Sequence, residues 1–97
     1  MSFDLQYLRG YIEKLIDSQL TNEQLSVSHK FFEKLQPAVA DRRDAIFGCV
    51  IGAVFAQIND VFLLGRREPT HEEIEEIGRA IKNRLLEIKS RINETFT

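Results

Sequence analysis

The stretch AIFGCVIGAVFA, residues 45–56, runs for twelve positions without a charge or an amide, and it constrains the fold more than any other part of the chain. On a helical wheel of about 100° per residue it separates by side-chain size. Ala45, Gly48, Cys49, Gly52, Ala53 and Ala56 fall at offsets 0, 3, 4, 7, 8 and 11 and make a stripe of small side chains. Phe47, Val50, Ile51, Val54, Phe55 and Ile58 repeat those offsets two positions later, which is a rotation of about 200° on an α-helix. The helix is therefore apolar on two nearly opposite sides and has no side to wet over about three turns. It is a membrane span, the middle of a core, or a helix covered by its own chain on one side and by something else on the other.

The length rule argues against a span, which takes about twenty predominantly apolar residues. Extending the window to Leu64 brings in Gln57, Asn59 and Asp60, and an aspartate at the centre of a membrane helix costs about 2.5–3.5 kcal/mol. Arg42-Arg43 and Arg66-Arg67 flank the run on both sides and give no asymmetry to orient it. The opening residues MSFDLQYLRG carry an acid where a secretion signal would carry bases, and no small-residue cleavage site follows. With one cysteine, Cys49, no intrachain disulfide can form, so the expectation is a cytoplasmic protein without a membrane.

A chain of 97 residues suffices for one domain, residues 1–97. Apolar residues at 43% and charged residues at 29% with a net charge of -2 exclude a disordered chain. The acidic balance also disfavours a dedicated DNA-binding domain. No strand-like alternation occurs, and the expected class is all-α: a small antiparallel bundle of about four helices, or three with a kink near Pro37. Ser2 is the expected cap of the first helix, whose apolar face is Leu5, Leu8, Ile12 and Leu15 with Phe3, Tyr7, Tyr11 and Ile16. Thr21 and Gln24 have the form of a capping box for a second helix running to about Gln36 and burying Leu25, Phe32 and Leu35, with Val27 and Phe31 alongside. Pro37 suits the first turn of a third helix, residues 37–64, with Gly65 at its left-handed cap. Thr70 and Glu73 form a second capping box, and Ile74, Ile77, Ile81, Leu85, Ile88 and Ile92 follow at the straight α-helical period. Across the tight turn GRREPT, helices 3 and 4 are expected to form an antiparallel hairpin, with the large stripe on the isoleucine row. Glu75 and Arg79, and Glu87 and Arg91, stand at the favourable i, i+4 order for surface ion pairs.

That hairpin leaves the small stripe to be covered. The first helix of the same chain is one candidate and a second chain the other. Residues 42 and 59, 41 and 60, 45 and 56, and 48 and 53 lie equally far from a point between Val50 and Ile51. Two antiparallel copies related by a two-fold axis at that point would set small residues against small residues and bring Arg42 of one beside Asn59 and Asp60 of the other, with Asp41 near Asp60 as a local cost. The expected dimer interface is Arg42, Ala45, Gly48, Cys49, Gly52, Ala53, Ala56, Asn59 and Asp60.

Little catalytic chemistry is legible. His29 and Glu33 stand one turn apart, but two ligands do not make a metal site, and the expectation for His29 is a surface position. His71 reads as a surface residue of the fourth helix's first turn. Cys49 has no base placed beside it by the sequence and reads as a small apolar residue. The acidic stretch EEIEE, residues 72–76, resembles one acid pair of the all-helical nucleotide pyrophosphohydrolases of the MazG type. That resemblance implies magnesium-dependent phosphate chemistry. It is confined to this cluster: Glu87 and Ser90 stand where a further acid pair is needed, and the third helix offers Asp41, Asp44 and Asp60. Acids at a helix start are accounted for by the helix dipole. Arg42, Arg43, Arg66, Arg67, Arg79, Lys82, Arg84, Lys89 and Arg91 could meet phosphates, but interleaved acids favour a solvated face. The sequence reading is therefore a non-enzymatic, homodimeric helical scaffold, adaptor or small subunit that binds protein, with no cofactor and no metal. Nucleic-acid binding and the pyrophosphohydrolase are its alternatives.

Overall fold

The structure, a computed structural model, describes residues 4–96 and is helical throughout, with no strand among the described residues. Five helices follow in order: α1 (Leu5–Gln19), α2 (Asn22–Glu33), α3 (Arg42–Leu64), α4 (His71–Lys82) and α5 (Leu85–Phe96). Ser2 and Phe3 lie outside the described residues. The cap of α1 is Asp4, whose carboxylate accepts the N–H groups of Gln6 at 2.8 Å and Tyr7 at 3.3 Å. Such caps satisfy donors that a helix start leaves without an intrahelical partner. At α2 the Thr21 hydroxyl accepts Gln24 N–H at 3.2 Å. At α4 the capping box is complete, with Glu73 N–H on the Thr70 hydroxyl at 3.1 Å and Thr70 N–H on the Glu73 carboxylate at 2.8 Å.

The helix ends differ from the sequence expectation at several points, and α2 stops at Glu33 and not at about Gln36. The α3 helix begins at Arg42, not at Pro37. Residues 34–40 form turns with a cis Gln36–Pro37 peptide, and Asp41 caps the helix by accepting Arg43 N–H at 3.0 Å and Asp44 N–H at 3.2 Å. An aspartate with two free donors ahead of it is a stronger start signal than a proline four residues earlier. At the other end Gly65 keeps a right-handed conformation, and Arg66 takes the left-handed one with φ 53°. Because that region disfavours a residue with a Cβ, Arg66→Gly is expected to raise stability by up to about 1 kcal/mol. An increased urea midpoint at unchanged slope would register the gain. Finally, the isoleucine-lined fourth helix is interrupted at Asn83 and Arg84, and its two halves pack against different neighbours.

The expected hairpin of helices 3 and 4 gives way to a different pairing. The α4 helix lies chiefly on α1, and α3 packs against α1, α2 and α5. One core joins them: Leu8, Ile12 and Ile16 of α1, Leu25 of α2, the row Ile46, Val50, Val54, Ile58 and Phe62 of α3, Ala80 of α4, and Ile88 and Ile92 of α5. The interruption at residues 83–84 lets one apolar row serve two partners. Its second half, Ile88 and Ile92, is fully buried, whereas Ile74 is exposed and Ile77 half-buried. Leu35, expected inside, is exposed beside the turns that follow α2, and Val27 and Phe31, expected alongside the buried face, are exposed too, because α3 covers only the Leu25 side of α2. The body is elongated, 45 × 23 × 20 Å.

Candidate functional site

The row Ile46, Val50, Val54, Ile58 and Phe62 of α3 points into the core, so the opposite side of the helix faces outward, and Phe55 of the expected large stripe lies outside the core. Gly48, Cys49, Gly52, Ala56, Asn59 and Asp60 are exposed, and Arg42, Ala45 and Ala53 are half-buried. A Cβ added at Gly48 or Gly52 would meet nothing within 4 Å. The first helix therefore does not cover the small stripe. A glycine inside an exposed helix destabilises it by about 1 kcal/mol relative to alanine, and nothing in the chain's own packing requires either glycine to lack a side chain.

Two apolar grooves flank this open face. One, between α2 and α3, is bounded by Val27, Phe31 and Phe32 on α2 and by Cys49, Val50 and Ala53 on α3. The other, between α3 and α4, is lined chiefly by Phe55, Ile58, Phe62, Pro69, Ile74 and Ile77. Val27, Phe31, Phe55 and Leu63 are each more than half exposed, at 62%, 57%, 62% and 65%, which makes the apolar surface wider than the stripe alone. Leu63 continues the small stripe, seven positions beyond Ala56. That spacing was visible in the sequence. The contribution of α2 was not, because no periodicity within α3 says which helix lies beside it.

Charges close the two ends of the face. At one end the Arg42 guanidinium lies 3.6 Å from the Glu33 carboxylate. At the other, Asp60 is exposed and forms no ion pair among the described residues.

The acidic cluster has a structural role the sequence reading missed. Glu73 and Glu76, one turn apart, are buried at 0% and 2% exposure. Arg67 holds Glu73 with two parallel bonds of 2.8 and 2.7 Å, the strong fork geometry for a guanidinium and a carboxylate. The same guanidinium rests 4.8 Å from the centre of the Phe62 ring. Arg9 of α1 donates to one Glu76 oxygen, and Arg79 donates to the other at 2.8 Å. This arrangement replaces the expected Glu75–Arg79 pair; Glu75 meets His71 instead, at 2.9 Å. The Arg9 hydrogen bond, with the charges of Arg9 and Arg79, holds the Glu76 carboxyl below its ordinary value of 4.5 in spite of burial. A carboxyl whose folded value is depressed stabilises the fold above its unfolded value and loses that contribution as the pH falls through the folded one. Urea midpoints measured from pH 7 to pH 3 are therefore expected to fall more steeply below about pH 4.5 in the wild type than in Glu76→Gln.

Other predicted chemistry is likewise turned inward. His29 is buried, contrary to the surface expectation, with Nε2 3.2 Å from the carbonyl oxygen of Ile92 on α5. Its neighbour by sequence, Glu33, is exposed and faces Arg42. No group of three His, Cys, Asp or Glu residues able to hold a metal occurs among the described residues. Arg84 bonds the Asp17 carboxylate at 2.7 Å and the Glu13 carbonyl at 3.2 Å. Arg91 bonds the Leu20 carbonyl at 2.9 Å and the Asn22 side chain at 2.8 Å. Instead of the expected partner Glu87, Arg91 has Glu94, at 3.3 Å. These arginines thus fasten α1 and its turn into α2 onto the C-terminal helices, where unsatisfied carbonyls favour a cation. Lys89 lies 5.2 Å over the Phe47 ring.

Among the described residues one helix, Arg42–Leu64, is long and apolar enough to cross a membrane, and 28% of its most apolar stretch is buried inside the protein. No protein-family model matches the chain, and neither a curated protein nor a solved structure matches it.

Proposed function

We propose that this protein is a non-enzymatic helical scaffold, adaptor or small subunit that works as a homodimer through the open face of α3. The observation that carries the reading is that this apolar face, with two glycines at its centre, is left uncovered by the rest of the chain. Continuous exposed apolar surface of this kind marks sites of association. Small side chains let a second helix approach closely and gain contact along its whole length. The same surface supports a role as a protein-binding module, and the single thiol, Cys49, which is exposed on it, is compatible with a reducing cytoplasm.

The alternatives have less support. A magnesium-dependent hydrolase needs carboxylates free to bind metal, whereas Glu73 and Glu76 are engaged by Arg67, Arg9 and Arg79. Nucleic-acid binding needs free cations on one face, whereas Arg67, Arg84 and Arg91 hold the fold together.

A membrane-embedded α3 is favoured by the helix's length and open face. Against it, α1 and α2 pack along α3 and carry Glu13, Lys14, Asp17 and Lys30 on their exposed sides. Immersing α3 would bring these charges into hydrocarbon. Sedimentation in detergent-free buffer separates the readings: a dispersed species of twice the chain mass supports the dimer, a monomer at high micromolar concentration removes it, and insolubility relieved by detergent favours the membrane.

A further inference from the structure

We infer that the second copy docks antiparallel on α3, with the two-fold axis passing between Val50 and Ile51, and that Phe31 of each copy closes over the small residues of the other. The inference rests on the α3 dimer reading, takes the antiparallel register that the sequence symmetry suggests, and adds a second contributing helix, α2.

Three observations lead to it. First, charge favours the antiparallel orientation over the parallel one. Asp60 and Arg42 lie eighteen positions apart on the same side of α3, because eighteen residues make five full turns. In the antiparallel arrangement each Asp60 comes level, within about one residue's rise of 1.5 Å, with Arg42 of the other copy; Asp41 of that copy comes level with it too, a like-charge contact that Arg42 offsets. A parallel pair would set Arg42 beside Arg42 and Asp60 beside Asp60. Asp60 has no ion pair within its own chain among the described residues, so it is available.

Second, α2 flanks α3 on the side that carries Arg42, Cys49, Ala53 and Asp60, tied there by Glu33 and Arg42. A two-fold axis perpendicular to the helices keeps that side together in both copies, so the two α2 helices approach each other over the centre of the interface. Third, their facing residues are apolar and exposed: Val27 lies near the axis, and Phe31 projects from the same groove. Phe31 is steadied by an edge-to-face contact with Phe32, with ring centroids 5.2 Å apart. Aromatic side chains held in this way over small partner residues are characteristic anchors of protein interfaces. At an interaxial distance of about 8 Å the same geometry places the two Cys49 Cα atoms about 6 Å apart, within the span of a disulfide.

The test combines sedimentation with cross-linking of the full chain. Copper–phenanthroline, as oxidant, is expected to convert the wild-type dimer in high yield to a covalent dimer that Cys49→Ser cannot form. Phe31→Ala is expected to weaken association at least tenfold without lowering the thermal midpoint of the monomer, since the ring is exposed there. If Gly52→Leu disrupts the dimer but Phe31→Ala does not and Cys49 stays unlinked, the α3 face is the interface and the docking inferred here is wrong. If the dimer persists in both Gly52→Leu and Phe31→Ala, the interface lies elsewhere and both readings fall. A wild type that remains monomeric removes both.

Discussion

Gly52→Leu is expected to leave the monomer folded and at least as stable as the wild type, and to shift a dimer towards monomer. The two effects separate because the substitution touches two different environments. Within one chain a Cβ at Gly52 meets nothing within 4 Å, and leucine is the better helix former by up to about 1 kcal/mol. Against a second copy the added side chain enters a contact with no space for it, and overpacking of this kind costs about 1–3 kcal/mol per site. Both copies carry the change, so the dissociation constant is expected to rise by about one to four powers of ten. Sedimentation of wild type and variant at matched concentration reads the shift, and thermal melting shows that the monomer has not been lost. A variant that dimerises like the wild type would exclude Gly52 from the interface.

The largest effect on stability is expected at Phe62. The ring is 3% exposed and lies between α1 and α3 on one side and the groove to α4 on the other. It also supports the Arg67 guanidinium that holds Glu73. Truncating a buried phenylalanine costs about 3–5 kcal/mol, a large share of the 5–15 kcal/mol that typically separates folded from unfolded domains. Phe62→Ala should therefore lower the urea midpoint more than Arg66→Gly raises it. Loss of no more than about 1 kcal/mol would show that the site collapses around the cavity, or that Phe62 is less well packed than its burial indicates.

Local signals located most of the helices and failed where a distant partner decided the outcome. Thr21 and Thr70 cap helices because the interaction involves groups three residues away. Of the large stripe, Val50, Val54 and Ile58 are buried as the period required, Phe47 and Ile51 are half-buried, and Phe55 is exposed, because the buried row is turned towards Ile46. The pairing of that row was not legible. An apolar stripe specifies that it will be covered but not by which helix, and α4 found its main neighbour in α1. The same cause hid the burial of Glu73 and Glu76. At the start of a helix both acids read as solvent-facing, and it takes Arg9, 67 positions from Glu76, and Arg67 in the preceding loop, together with the local Arg79, to make their burial tolerable. His29 went inside for a partner equally remote, the Ile92 carbonyl. On the open face the small stripe of α3 was readable from its spacing, whereas the ridge of Val27 and Phe31 beside it depended on where α2 packs.

The pairing of α1 with α4 also bears on how the chain is made. Synthesis produces α1 first, yet the helix it packs on most extensively comes after α2, α3 and the Arg66–Arg67 loop. A nascent chain ending before α4 cannot form the Arg9–Glu76 contact and leaves part of the Leu8 and Ile12 face wet. The α1–α4 pairing is non-local, and folding slows as contacting residues lie farther apart in sequence. Folding is thus set to finish late, and the exposed side of α3 is present as an apolar surface before the rest of the core has closed behind it.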